Sequence, residues 1–301
     1  MRRIELPGAG PEDVVLDDRG RVLTGIEDGR VLRVDPQSGE IETLADTGGR
    51  PLGLHVRRDG SVLVCDSRRG LLHVDTSGAV EVLVGEIDGV PINFASNVVE
   101  ADDGTIYFST STRHFDLGHY MGDILEHSGS GRLCRRDPSG AVETLIDGLH
   151  FGNGVVLSPD GSCVVVAQTG GYCITRYWLS GPRAGSHDTL IDNLPGFPDN
   201  MALGSDGLIW VSLPTARNPL LDRLLPLPGA LRQLVWLLPS WTQPKPSPTV
   251  WVLGVSFDGE IVHDLQMPGE QYSMVTSVIE RDGRLYLGSL HEHALAVTSL
   301  P

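Results

Sequence analysis

Short apolar runs of period two, each closed by an Asp-Gly or Gly turn, recur along the whole chain. The first unit runs Glu12-Asp13-Val14-Val15-Leu16, turns at Asp18-Arg19-Gly20, and continues as Val22-Leu23-Thr24-Gly25. A second turn at Asp28-Gly29 leads into Val31-Leu32-Arg33-Val34. Alternation and the Asp-Gly dipeptides between the runs predict a series of antiparallel hairpins. The same grammar restarts at Leu52, Asn97, Asn153, Asp199 and near Val275, with turns at Asp59-Gly60, Asp103-Gly104, Asp160-Gly161, Asp206-Gly207 and Asp282-Gly283. Six units, most at the spacing of roughly 40–50 residues expected of four-stranded blades, predict an all-β fold, a six-bladed β-propeller. Period two rather than 3.6 excludes a helical solenoid. Residues 2–6 are expected to lend a strand to the last blade and close the ring, so that 1–301 forms a single propeller domain.

Two stretches break the period. Residues 110–130 extend the third unit and carry Arg113, His114, His119 and Glu126. Residues 214–249 extend the fifth, and the spacing of Leu220, Leu221, Leu224 and Leu225, then Leu231, Leu234, Val235 and Leu238, predicts a partly helical insertion in blade 5. Two roles suit it: a lid over the axial pocket, or a surface helix meeting a partner or lipid. The lid is preferred, because loops carried on rigid scaffolds shape small-molecule pockets.

Composition narrows the function classes. The 301 residues are 40% hydrophobic and 21% charged, enough to bury a sizeable core, and Gly 37 with Pro 20 suits many tight turns. A formal net charge of -16 argues against a nucleic-acid partner, which would need clustered Lys and Arg. No run reaches the ~20 apolar residues of a membrane span, and residues 1–7 carry no apolar run of signal-peptide length. Cys65, Cys134, Cys163 and Cys173 show no CxxC spacing and no zinc-like His intervals. Reduced thiols and a cytoplasmic setting are therefore expected. The oligomeric state is left open.

The candidate chemistry lies where the inner strands begin. In a propeller these strands line the central channel, so their first positions converge although they are distant in sequence. By the repeat those positions are Glu12, Leu52, Asn97, Asn153, Asp199 and approximately Thr276. Four of the six carry oxygen donors, two carboxylates and two amides, a mixture that suits Ca²⁺ (or another divalent cation), with Asn200 as an outer ligand. Taken singly, Asn153-Gly154 is a routine turn dipeptide and Pro198-Asp199-Asn200 an Asx-turn. The shared register is what distinguishes the set.

Several segments also carry a family resemblance: Glu12-Asp13-Val14, Phe94-Ala95-Ser96-Asn97, Phe151-Gly152-Asn153-Gly154-Val155, Ser158-Pro159-Asp160-Gly161, Ile174 to Pro182, and Leu194 to Asn200. Over nearly its whole length the chain resembles the strictosidine-synthase-like branch related to the gluconolactonase/senescence-marker and paraoxonase propellers. The resemblance implies an axial calcium held, in the hydrolytic relatives, by a Glu, two Asn and an Asp, matching Glu12, Asn97, Asn153 and Asp199. Two departures matter. Thr276 stands where plant strictosidine synthase has its catalytic Glu, which disfavours amine–aldehyde condensation, and Leu52 stands where paraoxonases have a His.

The expectation is thus a metal-dependent hydrolase of a lactone or related ester acting on a small-molecule substrate. The cation would polarise the carbonyl, and Asp199 would activate water or attack. Arg113, His114, His119 and His150 are the candidate substrate contacts. The competing expectations are a binding or scaffold propeller with structural calcium, and a biosynthetic condensing or cyclising enzyme.

Overall fold

The computed structural model describes residues 1–229, 231–232 and 249–301. They form six four-stranded antiparallel sheets in ring order, together with a two-stranded ribbon, Glu86–Ile87 and Val90–Pro91, that the repeat does not announce. Arg2–Glu5 pairs with Ala294–Ser299, Arg2 opposite Val297 and Glu5 opposite Ala294. The first strand therefore completes the last sheet, as the repeat predicts, and no blade of the ring is left with an open seam.

The period-two pattern has a direct structural meaning. Each consecutive pair of blades encloses its own apolar cluster, and neighbouring residues of one strand serve different clusters. Val22 and Leu32 pack toward blade six with Ile4, Tyr286 and Leu295. Leu23 and Val31, one position away, pack toward blade two with Leu54, Val62 and Val64. Blade two repeats this: Leu63 and Cys65 turn the other way, onto Val98, Ile106 and Phe108 of blade three. A strand buried on both faces against other sheets needs apolar residues at odd and even positions alike. That explains why these middle strands read as nearly continuous apolar runs.

The inner strands share a second feature. In four blades the innermost pair slips register at the same point, between Pro51 and Leu54, Ala95 and Val98, Gly152 and Val155, and Val275 and Ser277. Each slip is a β-bulge, which leaves residues off the ladder and turns them toward the channel. Two tiers result. Glu12, Leu52, Ser96, Asn153, Asp199 and Thr276 face the channel mouth. One residue further in lie Asp13, Gly53, Asn97, Gly154, Asn200 and Ser277. A Cβ on Gly53 would lie 2.4 Å from Asn97 Cα, and one on Gly154 would lie 2.3 Å from Met201 N, so this crowded tier requires glycine in blades two and four.

Both insertions contribute to the mouth. Residues 110–130 form a 3-10 turn at Leu117–His119 and the helix α1, Tyr120–Glu126, which ends at His127 in a left-handed conformation. In the second insertion, Pro219–Leu224 forms the helix α2; Asn218 caps it by accepting from the N–H groups of Leu220 and Leu221, and Pro219 sits at the first position. The expected helical spacing thus holds at Leu220, Leu221 and Leu224, while Leu234, Val235 and Leu238 lie outside the described residues.

Candidate functional site

The upper tier is a ring of hydrogen-bonded acids and amides. Glu12, though buried, has one engaged oxygen: Oε1 accepts from Asn200 Nδ2 at 2.9 Å, and Oε2 has no partner. Asp199 is half-buried, and its Oδ1 accepts from Asn153 Nδ2 at 2.5 Å. Asn153 is in turn held by Ser96 Oγ, which donates to its Oδ1 at 3.1 Å, and by Thr169 Oγ1, which accepts from its Nδ2 at 3.1 Å. Thr169 then donates to the carbonyl of Pro198 at 2.7 Å, tying the amide to the segment that carries Asp199. Thr276 Oγ1 donates to the Glu12 carbonyl at 2.7 Å.

The lower tier is fully satisfied. Asp13 accepts from the Val14 and Leu54 N–H groups, each at 2.8 Å, and from Ser277 Oγ at 2.5 Å. Asn97 Nδ2 donates to Asn200 Oδ1 at 2.9 Å, while Asn97 Oδ1 accepts from the Val155 N–H at 3.0 Å.

This placement corrects the register read from the sequence. The blade-three equivalent of Glu12, Asn153 and Asp199 is Ser96, and Asn97 sits one tier below. The same bulge stands in both blades and sets Val98 level with Val155, so Ser96 is level with Asn153 and Asn97 with Gly154. Of the five residues expected to ligate a cation, Glu12, Asn153 and Asp199 face the cavity, and Asn97 and Asn200 buttress them from beneath.

Electrostatics sharpen the picture. Burial pushes the Glu12 carboxyl well above its ordinary range, with the negative charges of Asp199 and Asp13 adding to it; Arg50 and the Asn200 hydrogen bond act the other way. Burial likewise raises Asp199, to about 7, against the opposing hydrogen bond from Asn153. Asp13 is raised by burial despite the hydrogen bonds it accepts from Ser277, Leu54 and Val14. Three clustered carboxylates with one nearby guanidinium are costly to leave ionised unless protons or a cation compensate. The unpartnered Oε2 of Glu12 and the hard oxygen chemistry of the acids and amides fit a divalent ion such as Ca²⁺. Among the described residues, no three His, Cys, Asp or Glu are placed to hold a metal, so amide oxygens would have to complete the set.

Above the tier is a cavity of about 300 Å³ with an apolar wall. Phe94 and Phe151 meet edge to face at 5.4 Å, Tyr120 reaches Phe151 at 6.5 Å, and Ile124 and Leu125 of α1 pack with Leu221 of α2 onto Leu52. Both insertions therefore roof one space. Phe151 holds a backbone φ of 61° and Met274 one of 51°, in each case directly before the inner strand and on the cavity wall. Left-handed backbone at such bulky residues is unusual, and here it aims their side chains into the mouth.

None of the four expected substrate contacts lines this cavity. Arg113 pairs with Asp147 at the rim of blade three. His114 and His119 lie on a separate open cleft, His119 bonded to Asp116 at 2.8 Å. His150 stacks on His127 with ring centroids 3.8 Å apart. The residues that do line the cavity beside the acids, Ser96, Thr169, Phe94, Phe151, Tyr120 and Leu221, were not expected as substrate contacts, although Leu221 belongs to the expected lid. Phe94 and Ser96 lie within the segment Phe94-Ala95-Ser96-Asn97, so that signal was present one residue away.

Comparison with known proteins adds lineage. The family model described as strictosidine synthase matches residues 97–182, and that described as strictosidine synthase-like, N-terminal, matches residues 1–34. The protein STRICTOSIDINE SYNTHASE-LIKE 6 of Arabidopsis thaliana is 33% identical over 96% of this chain and 79% of its own length. The adipocyte plasma membrane-associated protein of Rattus norvegicus is 36% identical over 97% of this chain and 83% of its own. Among solved structures, a gluconolactonase from Xanthomonas campestris superposes with a TM-score of 0.71 at 18% identity, covering 99% of this chain and 89% of that one. A calcium-binding protein, regucalcin, from Agrobacterium tumefaciens gives 0.65 at 17%, covering 97% and 87%. At such identities these two structures speak to the propeller fold.

Proposed function

The chain belongs to the strictosidine synthase-like family of six-bladed propellers, and from that membership we propose that it is a divalent-cation-dependent hydrolase of a lactone or related ester. One observation carries the reading. Glu12, whose Oε2 is unpartnered, and Asp199 line the same mainly apolar cavity, with Ser96, Asn153, Thr169, Arg217 and Asn218 among its other polar lining. Glu12, Asn153 and Asp199 would hold the ion, with Asn97 and Asn200 supporting them from the tier below. Calcium, or another divalent cation, supplies Lewis acidity toward a carbonyl oxygen when bound there.

The protein's own groups do the rest. The apolar wall of Phe94, Phe151 and Leu221 excludes water from the body of the substrate and orients its ester toward the floor. Asn153 engages Asp199 through Oδ1, and the other carboxyl oxygen would accept a proton from water or attack the carbonyl carbon itself. Asn153, fixed by Ser96 and Thr169, steadies Oδ1 of that carboxyl. Thr276 commits its hydroxyl to the Glu12 carbonyl, and an alcohol there cannot relay protons as a carboxyl would. This supports hydrolysis over condensation.

The setting proposed is cytoplasmic. All four cysteines are free, three of them buried, as suits a reducing compartment, and no helix among the described residues is long and apolar enough to cross a membrane. The relative named as plasma-membrane-associated, and the exposed Leu220 and Leu231 of the second insertion, support peripheral lipid contact as a companion role. The deciding experiment is elemental analysis of the purified protein, paired with a panel of lactones and aryl esters before and after chelation. Calcium at one per chain and chelator-sensitive turnover are expected. No bound divalent ion in the presence of added calcium, or turnover indifferent to chelation, would refute the reading.

A further inference from the structure

The ring of residues two places before the upper tier is not symmetric. In blades three to six it reads Phe94, Phe151, Phe197 and Met274, all on the cavity wall. In blades one and two it reads Gly10 and Arg50. Arg50 is only 2% exposed, and its guanidinium donates to the carbonyls of Gly10, Gly25 and Pro51. No carboxylate of the described residues forms an ion pair with it. A Cβ on Gly10 would lie 2.8 Å from Arg50 Nη2, so the missing side chain in blade one makes the room the guanidinium occupies. Burial disfavours this cation, and the charges of Glu12, Glu27 and Asp66 offset part of that cost without closing an ion pair, so it adds positive potential to the space it faces.

Arg50 faces an open cleft that adjoins the cavity. Leu117, Tyr120 and Leu290 belong to both, forming the partition between them. Around the cleft stand Arg68, His114, His119, His291 and His293. Its acids are Glu27 and Asp116, and Asp116 is already taken by His119 at 2.8 Å. In a chain of net charge -16 this concentration of nitrogen donors beside the cavity is the opposite of the surface average.

We propose that the cleft is a second subsite that takes the anionic group, carboxylate or phosphate, of a substrate whose apolar body fills the cavity. Such a molecule crosses the Leu117–Tyr120–Leu290 partition with its reacting ester above Asp199 and its anionic end among Arg68, His114 and His291, with the buried charge of Arg50 behind them. Guanidinium forks and imidazole N–H groups match the planar or tetrahedral oxygens of those anions. The proposal rests on the cavity being the substrate site. It does not require hydrolysis, so its test is a binding measurement that stays readable even if no ester is turned over.

The probes are decanoate, decyl phosphate and decanol, which share one apolar body, titrated calorimetrically into the full chain at low ionic strength, with and without chelator. Both anions are expected to bind about tenfold or more tightly than the alcohol, a gap of about 1.4 kcal/mol. The gap should close with added salt and in Arg68→Glu and the double variant His114→Ala/His291→Ala. All three positions are exposed, so these variants should melt as the parent does, whereas Arg50→Leu risks the fold. Which anion binds more tightly reports whether the subsite suits a carboxylate or a phosphate. Three outcomes overturn the proposal: equal affinity for anions and alcohol, no binding of either anion, or a preference that chelator removes and the cleft variants leave intact. The last would place the anion at the acidic floor.

Discussion

Asn200 donates to Glu12 across the channel at 2.9 Å, joining residues 188 positions apart. That contact fixes one Glu12 oxygen and leaves the other buried without a partner at the base of the cavity. Glu12→Gln removes this charge together with its repulsion from Asp199 and Asp13. The chelated variant should melt about 2–4 °C above chelated parent, as relief on the order of 1 kcal/mol would give. It should also lose most of the calcium-induced rise in Tm. A variant that melts lower in chelator and keeps the full calcium response would contradict this account of the site.

Asp199→Asn keeps the shape of the side chain and one ligand oxygen, but removes the carboxyl that Asn153 orients. At restored cation occupancy, kcat for a responsive lactone should fall by roughly 10²–10⁴. Thr276→Ala deletes a hydrogen bond to a backbone carbonyl and should cost about 1 kcal/mol of stability with turnover within about tenfold. The reverse ranking of the two variants would move the chemistry to the last blade.

Leu221 of α2 is buried against Ile124, Phe94 and Phe151, in a cluster separate from the six between the blades. Leu221→Ala should therefore loosen the roof without weakening the ring. The expected signature is a several-fold higher KM for apolar esters, with the main melting transition still single and shifted little. A collapse of the whole propeller on this substitution would show the roof to be part of the core.

Burial, the neighbouring His150 and the charge of Arg232 hold the His127 imidazole down at about 4, below its ordinary 6.5. The folded chain thus keeps this ring neutral where the unfolded chain would protonate it. The unfolded state binds more protons between pH 6.5 and 4, so the stability this ring contributes is full above 6.5 and is lost as pH falls through that window. His127→Asn tolerates the left-handed backbone of the position and removes the titrating group. The drop in Tm between pH 7.5 and pH 5 should be smaller in the variant than in the parent, and an unchanged or larger drop would count against the assignment.

Much of the architecture is local and so was legible in the chain. Consecutive apolar residues at Val22-Leu23 or Val62-Leu63 state that both faces of a strand are buried, and Asp-Gly turns state where it reverses. Ring closure by Arg2–Glu5 followed from counting strands, and Glu12, Asn153 and Asp199 were recognisable because they hold equivalent places in three repeats. Tertiary structure decided the rest. Strand pairing sets Val98 level with Val155, and Asn97 stands one place before that shared apolar position where Asn153 stands two, so Ser96 rather than Asn97 reaches the upper tier. The roof depends on side chains of two insertions meeting over the channel, and no periodicity within either one encodes that encounter. His114, His119 and His150 belong by composition to any polar site, yet the path of the loop carries them to a cleft or into a stacked pair. Convergence on an axis is a sum over six distant strands, and only the closed ring performs it.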